Sequence, residues 1–358
     1  MESVQSKDIN ETQLPIVTSA DVLKQALFFK LNTRIVAHGE IAFPCLPHMV
    51  DHYTQWILQV FQNLGRPLPP EKHPELRQLL VDKLQEGYQQ SSSSMLILKY
   101  TPVEPPHTGF ACHFRLSTPQ LDDQYKHWVQ TRQPPLFGSH PDAKLMATAQ
   151  ALGPPATVRI LDVGAGTGRN TLPLARLGHP VDAIELTPTF AGQLRGAVEA
   201  EGLGVRVIEG DILSPLVRVR PAYYQLIVAA EVISHFRDVD QLRLFFAKMS
   251  DFLCPGGFLL VSMFLAVSGY EPSLAVRELA ELAWSTLYTR QELADALVDL
   301  PLTLISDDWV LEYEKSHLPP EAWPPTNWYS TWVTGRDIFP IVNGRPPIEF
   351  RWLLFRHH

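Results

Sequence analysis

The chain reads as an α/β protein, a largely parallel, doubly wound sheet that follows a mostly helical N-terminal domain. Two observations predict this. The apolar run Val158–Val163 leads into Gly164, Gly166 and Gly168 and then into Thr171–Gly178, which reads as strand, glycine loop and helix. After it, apolar runs and helical stretches alternate at short intervals, the rhythm of parallel strands joined by crossover helices.

The bulk composition bounds the rest. The 358 residues are 45% hydrophobic and 19% charged, a soluble globular mixture long enough for one large domain or two. A net charge of −8 argues against general affinity for nucleic acid. Cys45, Cys112 and Cys254 lack C-x-x-C spacing, so they indicate a reducing compartment and neither a disulfide framework nor a zinc site. The 13 histidines are scattered, and no metal site is expected. The first residues carry no secretory signal, and the most apolar stretch, 252–267, is broken by Pro255-Gly256-Gly257. These features predict a cytoplasmic protein with no membrane and no nucleic-acid partner.

Taken in order, residues 1–18 read as a flexible N-terminus and 19–118 as the N-terminal domain. Its first helix starts at Ser19–Asp21, with Val22, Leu23, Ala26, Leu27 and Leu31 as an apolar face. Helices over 48–63 and 74–89 follow, then a strand pair, 95–101 and 110–116, joined through the Pro-rich 102–108. Residues 119–150 form a lid or linker: Tyr125–Val129 is aromatic and amphipathic, Pro134–Gly138 breaks the chain, and Ser139–Asp142 resembles the cap of a helix running to Leu152. Two readings stand for 120–145, a cover over the site or a plain linker with an aromatic anchor.

From 151 to 358 the sheet domain runs. Strands are predicted at 158–163, 181–185, 205–212, 224–230 and 258–264, with helices at 188–201 and 239–253. Helices over 274–285 and 289–300 follow, the second opened by a Thr289/Glu292 capping box. Leu302–Ile305 and Trp309–Tyr313 suggest a sixth strand and Ile348–Arg356 a last one. Between them lies a Pro/Trp-rich insert near 316–347, with Trp323, Trp328, Tyr329 and Trp332.

The glycine spacing directs the functional reading. A dinucleotide fingerprint is G-x-G-x-x-G; here Asp162 precedes G-x-G-x-G. That form resembles motif I of the class I S-adenosylmethionine-dependent methyltransferases. Glu185, Gly210-Asp211-Ile212, Glu231–His235 and Leu253–Gly257 then follow successive strands in that family's order. The resemblance implies a Rossmann-like, seven-stranded sheet closed by two consecutive strands with no helix between them. It also implies S-adenosyl-L-methionine as cofactor. The residues it places at the cofactor are Asp162, Gly164, Ala165, Gly166, Gly168, Glu185, Leu186, Asp211, Ile212 and Glu231. Glu185 would accept both ribose hydroxyls, Asp211 would meet the adenine amino group and Ile212 the purine face.

The acceptor side is more open. Glu231, His235 and Tyr125 are the candidate catalytic residues. Glu231 reads equally as a helix-start carboxylate, and His235 as a packing or surface residue. Tyr125, Trp128, Trp328, Tyr329 and Trp332 read either as an aromatic wall for the acceptor or as core. Phe29–Asn32, Gln133–Gly138, Glu231–Phe236 and Pro346–Trp352 are similar to segments of a cyanobacterial subfamily that methylates an asparagine amide on phycobiliprotein β subunits. That similarity implies a protein partner and an amide acceptor. A small-molecule acceptor is the alternative, and a non-catalytic cofactor-binding scaffold is the reading of another class.

Overall fold

The computed structural model describes residues 15–32, 34–104, 109–132 and 135–358. The expectations for residues 1–14, for most of the 102–108 connection and for Gln133-Pro134 lie outside them. The chain divides into two compact units, Met1–Ser117 and Thr118–His358.

Unit 1 contains α1 (Ala20–Asn32), β1 (Gly39–Pro44), α2 (Val50–Asn63), α3 (His73–Gln90), β2 (Met95–Pro102) and β3 (Phe110–Ser117). Its sheet is antiparallel in the order β1-β2-β3, so three strands stand where the sequence suggested a pair. β1 was missed because Gly39–Pro44 is short and holds a glycine and a proline at its ends, and its pairing partner lies fifty to sixty residues on. Ile57 and Phe61 of α2, Leu80 and Leu84 of α3 and Leu96 and Leu98 of β2 form one core. The expected apolar face of α1 is not buried: Val22, Leu23, Leu27 and Leu31 are 46–69% exposed. Local spacing reports that a helix forms; what covers it is decided elsewhere.

Unit 2 opens with α4 (Leu121–Thr131) and α5 (Ala143–Ala151). The α/β run follows: β4 (Ile160–Val163), α6 (Thr171–Arg176), β5 (Val181–Glu185), α7 (Pro188–Ala200), β6 (Arg206–Glu209), β7 (Tyr224–Ala229), α8 (Val239–Phe252) and β8 (Leu253–Ala266). Then come α9 (Leu274–Leu282), β9 (Leu287–Tyr288), α10 (Arg290–Leu297), β10 (Leu302–Trp309), α11 (Val310–His317), α12 (Tyr329–Val333) and β11 (Ile348–His357). The main sheet runs β10-β11-β8-β7-β4-β5-β6, with short β9 paired to β8. β4 to β8 are mutually parallel, and β11 is antiparallel to both β8 and β10. The predicted doubly wound, mostly parallel sheet is therefore present.

Alternation explains the two layers. Leu226, Val228 and Leu260 face one side of the sheet, while Ile227, Ala229, Leu259 and Val261 face the other. Helices cover both faces, so the central strands are apolar on both. The capping box at Thr289 and Glu292 is formed: Thr289 Oγ1 accepts from Glu292 N at 3.1 Å, and Glu292 Oε2 accepts from Thr289 N at 2.7 Å.

Three details differ from expectation. Of Trp309–Tyr313 only Trp309 is strand, as the last residue of β10, because helix α11 starts at Val310; Val310 and Glu314, four apart, are buried on one helical face. Helices α11 and α12 also lie between the last two strands, which therefore pair across an insert and not through a tight turn. Finally, Tyr329 and Trp332 are buried beside Phe264 and Phe350, with Trp328 partly buried against them. The aromatic residues of the insert are core and do not form an acceptor wall.

The topology also locates a crevice. From β4 the chain winds outward to β5 and β6, then returns to lay β7 on the other side of β4. Where strand order reverses, the loops leaving the strands' carboxyl ends part and leave space between β4 and β7.

Candidate functional site

A cavity of about 380 Å³ lies at that reversal. Its wall comes from the carboxyl ends of four strands: Asp162–Thr167 after β4, Glu185–Thr187 after β5, Gly210–Leu213 after β6 and Ala230–Val232 after β7. Leu121 and Tyr125 of α4, Phe137, Phe190 of α7, the turn His235–Arg237 and Gln241 complete it. Of the sequence-predicted residues, Asp162, Gly164, Ala165, Gly166, Glu185, Leu186, Asp211, Ile212, Glu231, His235 and Tyr125 all line it. Gly168 does not; it supports the loop from behind.

Two glycines are dictated by geometry. Gly164 has φ +72°, and a Cβ there would come within 2.4 Å of Val232 Cγ2. Gly168 has φ +96°, and its Cβ would meet Leu194 Cδ1 at 2.7 Å. A side chain at either position needs a left-handed backbone and a shift of its neighbour. The loop is also tied to β5, since Gly164 N donates to Ile184 O at 2.8 Å.

Asp162 is 2% exposed and accepts from Thr171 Oγ1 at 2.6 Å. Burial pushes its carboxyl up to about 7, against the opposing effect of the Thr171 bond. Glu185 is also buried. Its Oε2 accepts from Gly166 N at 2.8 Å, and its Oε1 from Thr187 N at 2.9 Å and Thr187 Oγ1 at 2.8 Å. A carboxylate has about four lone-pair positions, so roughly one stays open while these three bonds persist. Asp211 Oδ1 accepts from Leu213 N at 2.8 Å, which shapes the turn after β6 around the cavity.

Glu231 differs from both. Its backbone is left-handed, φ +62°, and its N–H donates to Ser262 Oγ at 2.8 Å. A non-glycine residue in that region is strained, a condition that clusters at functional sites. Its carboxylate neither caps a helix nor stands free: Oε1 pairs with Arg169 Nη2 at 2.8 Å. Burial raises its pKa and Arg169 opposes the rise. Arg169 also pairs with Asp142, 2.9 Å away.

Arg169 and Asn170, which line the cavity, and Asp142, which both contact, are residues of the site region that the sequence did not single out. Arg169 and Asn170 directly follow the last glycine, and that adjacency was the available signal. Asp142 gave none. As the expected cap of α5 its side chain makes no capping bond. That task falls to Glu314, which accepts from Ala143 N at 2.7 Å and Lys144 N at 3.1 Å.

The remaining wall is aromatic. The Tyr125 ring sits 4.7 Å from Phe190, 5.3 Å from Trp128 and 5.7 Å from Trp284. Burial raises the Tyr125 phenol, with Glu185 and Glu231 adding to the rise, so it is a poor proton acceptor at neutral pH. His235 is accessible from the cavity and lies 5.5 Å from Trp284. The protein around the rest of its ring disfavours the imidazolium and pushes it down to about 4, which leaves the ring neutral at pH 7.

Comparison with known proteins agrees with the motif reading. Residues 160–257 match the family model described as a methyltransferase domain. A stretch of 114 residues is 30% identical to the ubiquinone biosynthesis O-methyltransferase of Azorhizobium caulinodans, covering 32% of this chain and 43% of that protein. Another of 180 residues is 26% identical to the protein of the same name from Bradyrhizobium sp. (strain ORS 278), covering 47% and 67%. The chain thus spans between under half and about two thirds of the length of these relatives. Among solved structures, geranyl diphosphate C-methyltransferase from Streptomyces coelicolor A3(2) is 15% identical with a TM-score of 0.48, over 68% of this chain and 100% of that one. The stretch that matches a methyltransferase domain, residues 160–257, is the one that carries the glycine loop and the strand ends around the cavity. Among the described residues, no helix is long and apolar enough to cross a membrane.

Proposed function

We propose that the chain transfers a methyl group from S-adenosylmethionine to a hydroxyl oxygen of a small-molecule acceptor. The observation that carries the proposal is the cavity wall itself: bare glycine backbone on one side, and Asp162, Glu185, Asp211 and Glu231 at the ends of four successive strands. Arg169 and Arg237 are the cations on that wall, and each is already paired with an acid. An acid-rich cavity favours a cationic ligand, and the glycine loop admits one close to the backbone. When bound, the cofactor supplies a methyl group activated by its sulfonium charge.

The chain's own residues have simpler tasks. Glu185 holds a ribose hydroxyl in its open acceptor position; holding a second requires Gly166 N–H or Thr187 to let go. This revises the expectation that it accepts from both at once. Asp211 and Ile212 frame the base. Tyr125, Phe137 and Phe190 exclude water from the reacting atoms, and proximity does most of the rest.

Of the three catalytic candidates, His235 suits the acceptor hydroxyl. Glu231 is committed to Arg169, and the Tyr125 phenol stays protonated. A neutral imidazole on the cavity wall can take the hydroxyl proton as the oxygen loses charge to the incoming methyl. The hydroxyl acceptor is supported by the relatives, both named as O-methyltransferases. The expected asparagine amide and phycobiliprotein partner find no support among them. The paired state of Glu231 also removes the group assigned to accept the amide proton.

The test is transfer of labelled methyl from S-adenosylmethionine into an extract of cells lacking the protein. Label in the small-molecule fraction, released by reagents that cleave methyl ethers, is expected. Label confined to a protein band would overturn the acceptor class. No label, together with no calorimetric binding of S-adenosylhomocysteine, would overturn the enzyme reading in favour of a scaffold.

A further inference from the structure

Helix α9 ends in a hydrogen-bonding pattern that ordinarily calls for glycine. Ser285 N donates to Ala280 O at 2.8 Å and Trp284 N to Glu281 O at 3.1 Å, the paired bonds of a Schellman stop with Ala283 as the cap. The residue after the cap must then be left-handed, and Trp284 is, with φ +51°. A Cβ crowds the backbone in that conformation, which glycine avoids. Of the four non-glycine residues described with positive φ, Trp284 alone is aromatic. Strain of this kind persists where the surroundings over-determine it, and it clusters at functional sites.

The surroundings over-determine Trp284. Its carbonyl accepts from Trp332 Nε1 at 3.1 Å. Two residues on, Thr286 N donates to Ser234 O at 3.1 Å, so the stop of α9 is tied to the turn that carries His235. The half-buried indole sits at a junction of three rings: Trp128 at 4.6 Å, His235 at 5.5 Å and Tyr125 at 5.7 Å. His235 and Tyr125 line the cavity, and the indole backs them without lining it. The charged groups that share the cavity with His235 and Tyr125 are Asp162, Arg169, Glu185, Asp211, Glu231 and Arg237, the last 3.2 Å from Glu281 of α9. None of these charges sets the imidazole, which the protein packed around it pushes down to about 4.

We infer that Trp284 is a positioning residue for methyl transfer: its indole fixes the His235 imidazole against the cavity and keeps water from the ring face it covers. The inference rests on the reading of His235 as the acceptor of the hydroxyl proton. A glycine would satisfy the stop of α9 better than tryptophan does, so the helix end alone does not explain the residue. A general base has to stand within hydrogen-bond reach of the proton it takes. Misplacing a reacting group by about 1 Å costs on the order of a hundredfold in rate, so a ring that holds the imidazole in place has a large effect to exert.

The test turns on Trp284→Gly in the full chain, which removes the ring and relieves the backbone in one change. Histidine ring signals are followed by NMR across pH, with His235 identified by the signal that His235→Gln removes. Its titration point is expected near 4 in the wild type and higher, toward the ordinary 6.5, in Trp284→Gly, because water then reaches the ring. Initial rates of labelled methyl transfer into the small-molecule extract should fall about tenfold or more at neutral pH, and further in mild acid, where the raised imidazole is partly protonated. Affinity for S-adenosylhomocysteine in calorimetry should be unchanged. Trp284→Phe keeps a smaller ring at the junction. Its titration point and rate should fall between the other two, and it decides the matter if Trp284→Gly does not fold. Titration and rate unchanged from wild type in whichever variant folds would overturn the inference. So would a loss of rate that is equal at every pH and accompanied by lost cofactor affinity, because that marks a general disturbance of the fold. No transfer by the wild type would overturn the methyl-transfer reading and, with it, the role given to His235, whatever its titration.

Discussion

The two walls of the cavity are built differently. On the β4–β5 wall, Gly164, Gly166 and Glu185 are joined by short backbone bonds within some twenty residues of chain. On the other side, Tyr125 and His235 line the cavity from a helix and a turn far apart in sequence, and both rings pack against Trp284, which is not itself on the lining. The first wall is hydrogen-bonded and polar, suited to holding one ligand in one pose. The second presents ring faces and a neutral imidazole, and a change of ring alters what fits without disturbing the first. On the proposed reading, cofactor binding and acceptor choice fall to separate sets of residues.

The sharpest way to break that separation is at His235. His235→Gln should lower kcat for methyl transfer by about 10²–10⁴-fold, the usual contribution of a positioned proton acceptor, with S-adenosylhomocysteine affinity unchanged. Equal losses in both would place His235 on the cofactor wall. Glu185→Ala is the reciprocal change. It should weaken S-adenosylhomocysteine by about 1–3 kcal/mol in calorimetry, because a charged acceptor is lost. Unchanged affinity in the folded variant would show that the ribose does not sit at the end of β5.

A smaller effect is expected at Gly164. Alanine there adopts φ +72° at a cost of about 1–2 kcal/mol, read as a loss of stability in denaturant unfolding. Pairing it with Val232→Ala removes the 2.4 Å contact and should restore part of the loss. No difference between the single and double variants would mean that backbone conformation, not crowding, demands the glycine.

The last effect concerns pH. The Asp162 carboxyl is raised from 3.8 to about 7 in the folded chain. Between those values the folded state holds a proton that the unfolded state has released, so stability is full below 3.8 and declines as pH rises through about 7. Glu314, also raised to about 7, contributes with the same sign. Asp162→Asn keeps an acceptor for Thr171 and cannot ionise. Its unfolding free energy should therefore fall less steeply between pH 4 and 7 than that of the wild type. Parallel slopes would show that Asp162 is ionised throughout.

What could be read from the chain alone was local. Gly164–Gly168, Glu185 and Asp211 each sit at the end of an apolar run, and strand-end chemistry repeats within a few residues. The capping box at Thr289 was legible for the same reason. The Trp-rich insert left two readings open because composition reports aromatic residues but not their contacts: Trp332 packs on Phe264 and Phe350 and does not line the cavity. The exposed α1 shows the same limit from the other side, since an apolar stripe predicts a helix and not its cover.

The charge network needed the tertiary structure entirely. Glu314 caps α5 across 171 residues of sequence, and Arg169 reaches Glu231 across 62. No periodicity links such positions. Their pairing is enforced by burial, which makes each charge seek whichever partner the packed sheet and helices bring within reach. The proposed cofactor side was legible in adjacent residues because the glycine loop is set by backbone conformation and backbone bonds. The environment of the acceptor and the state of Glu231 were settled by the packing that surrounds them.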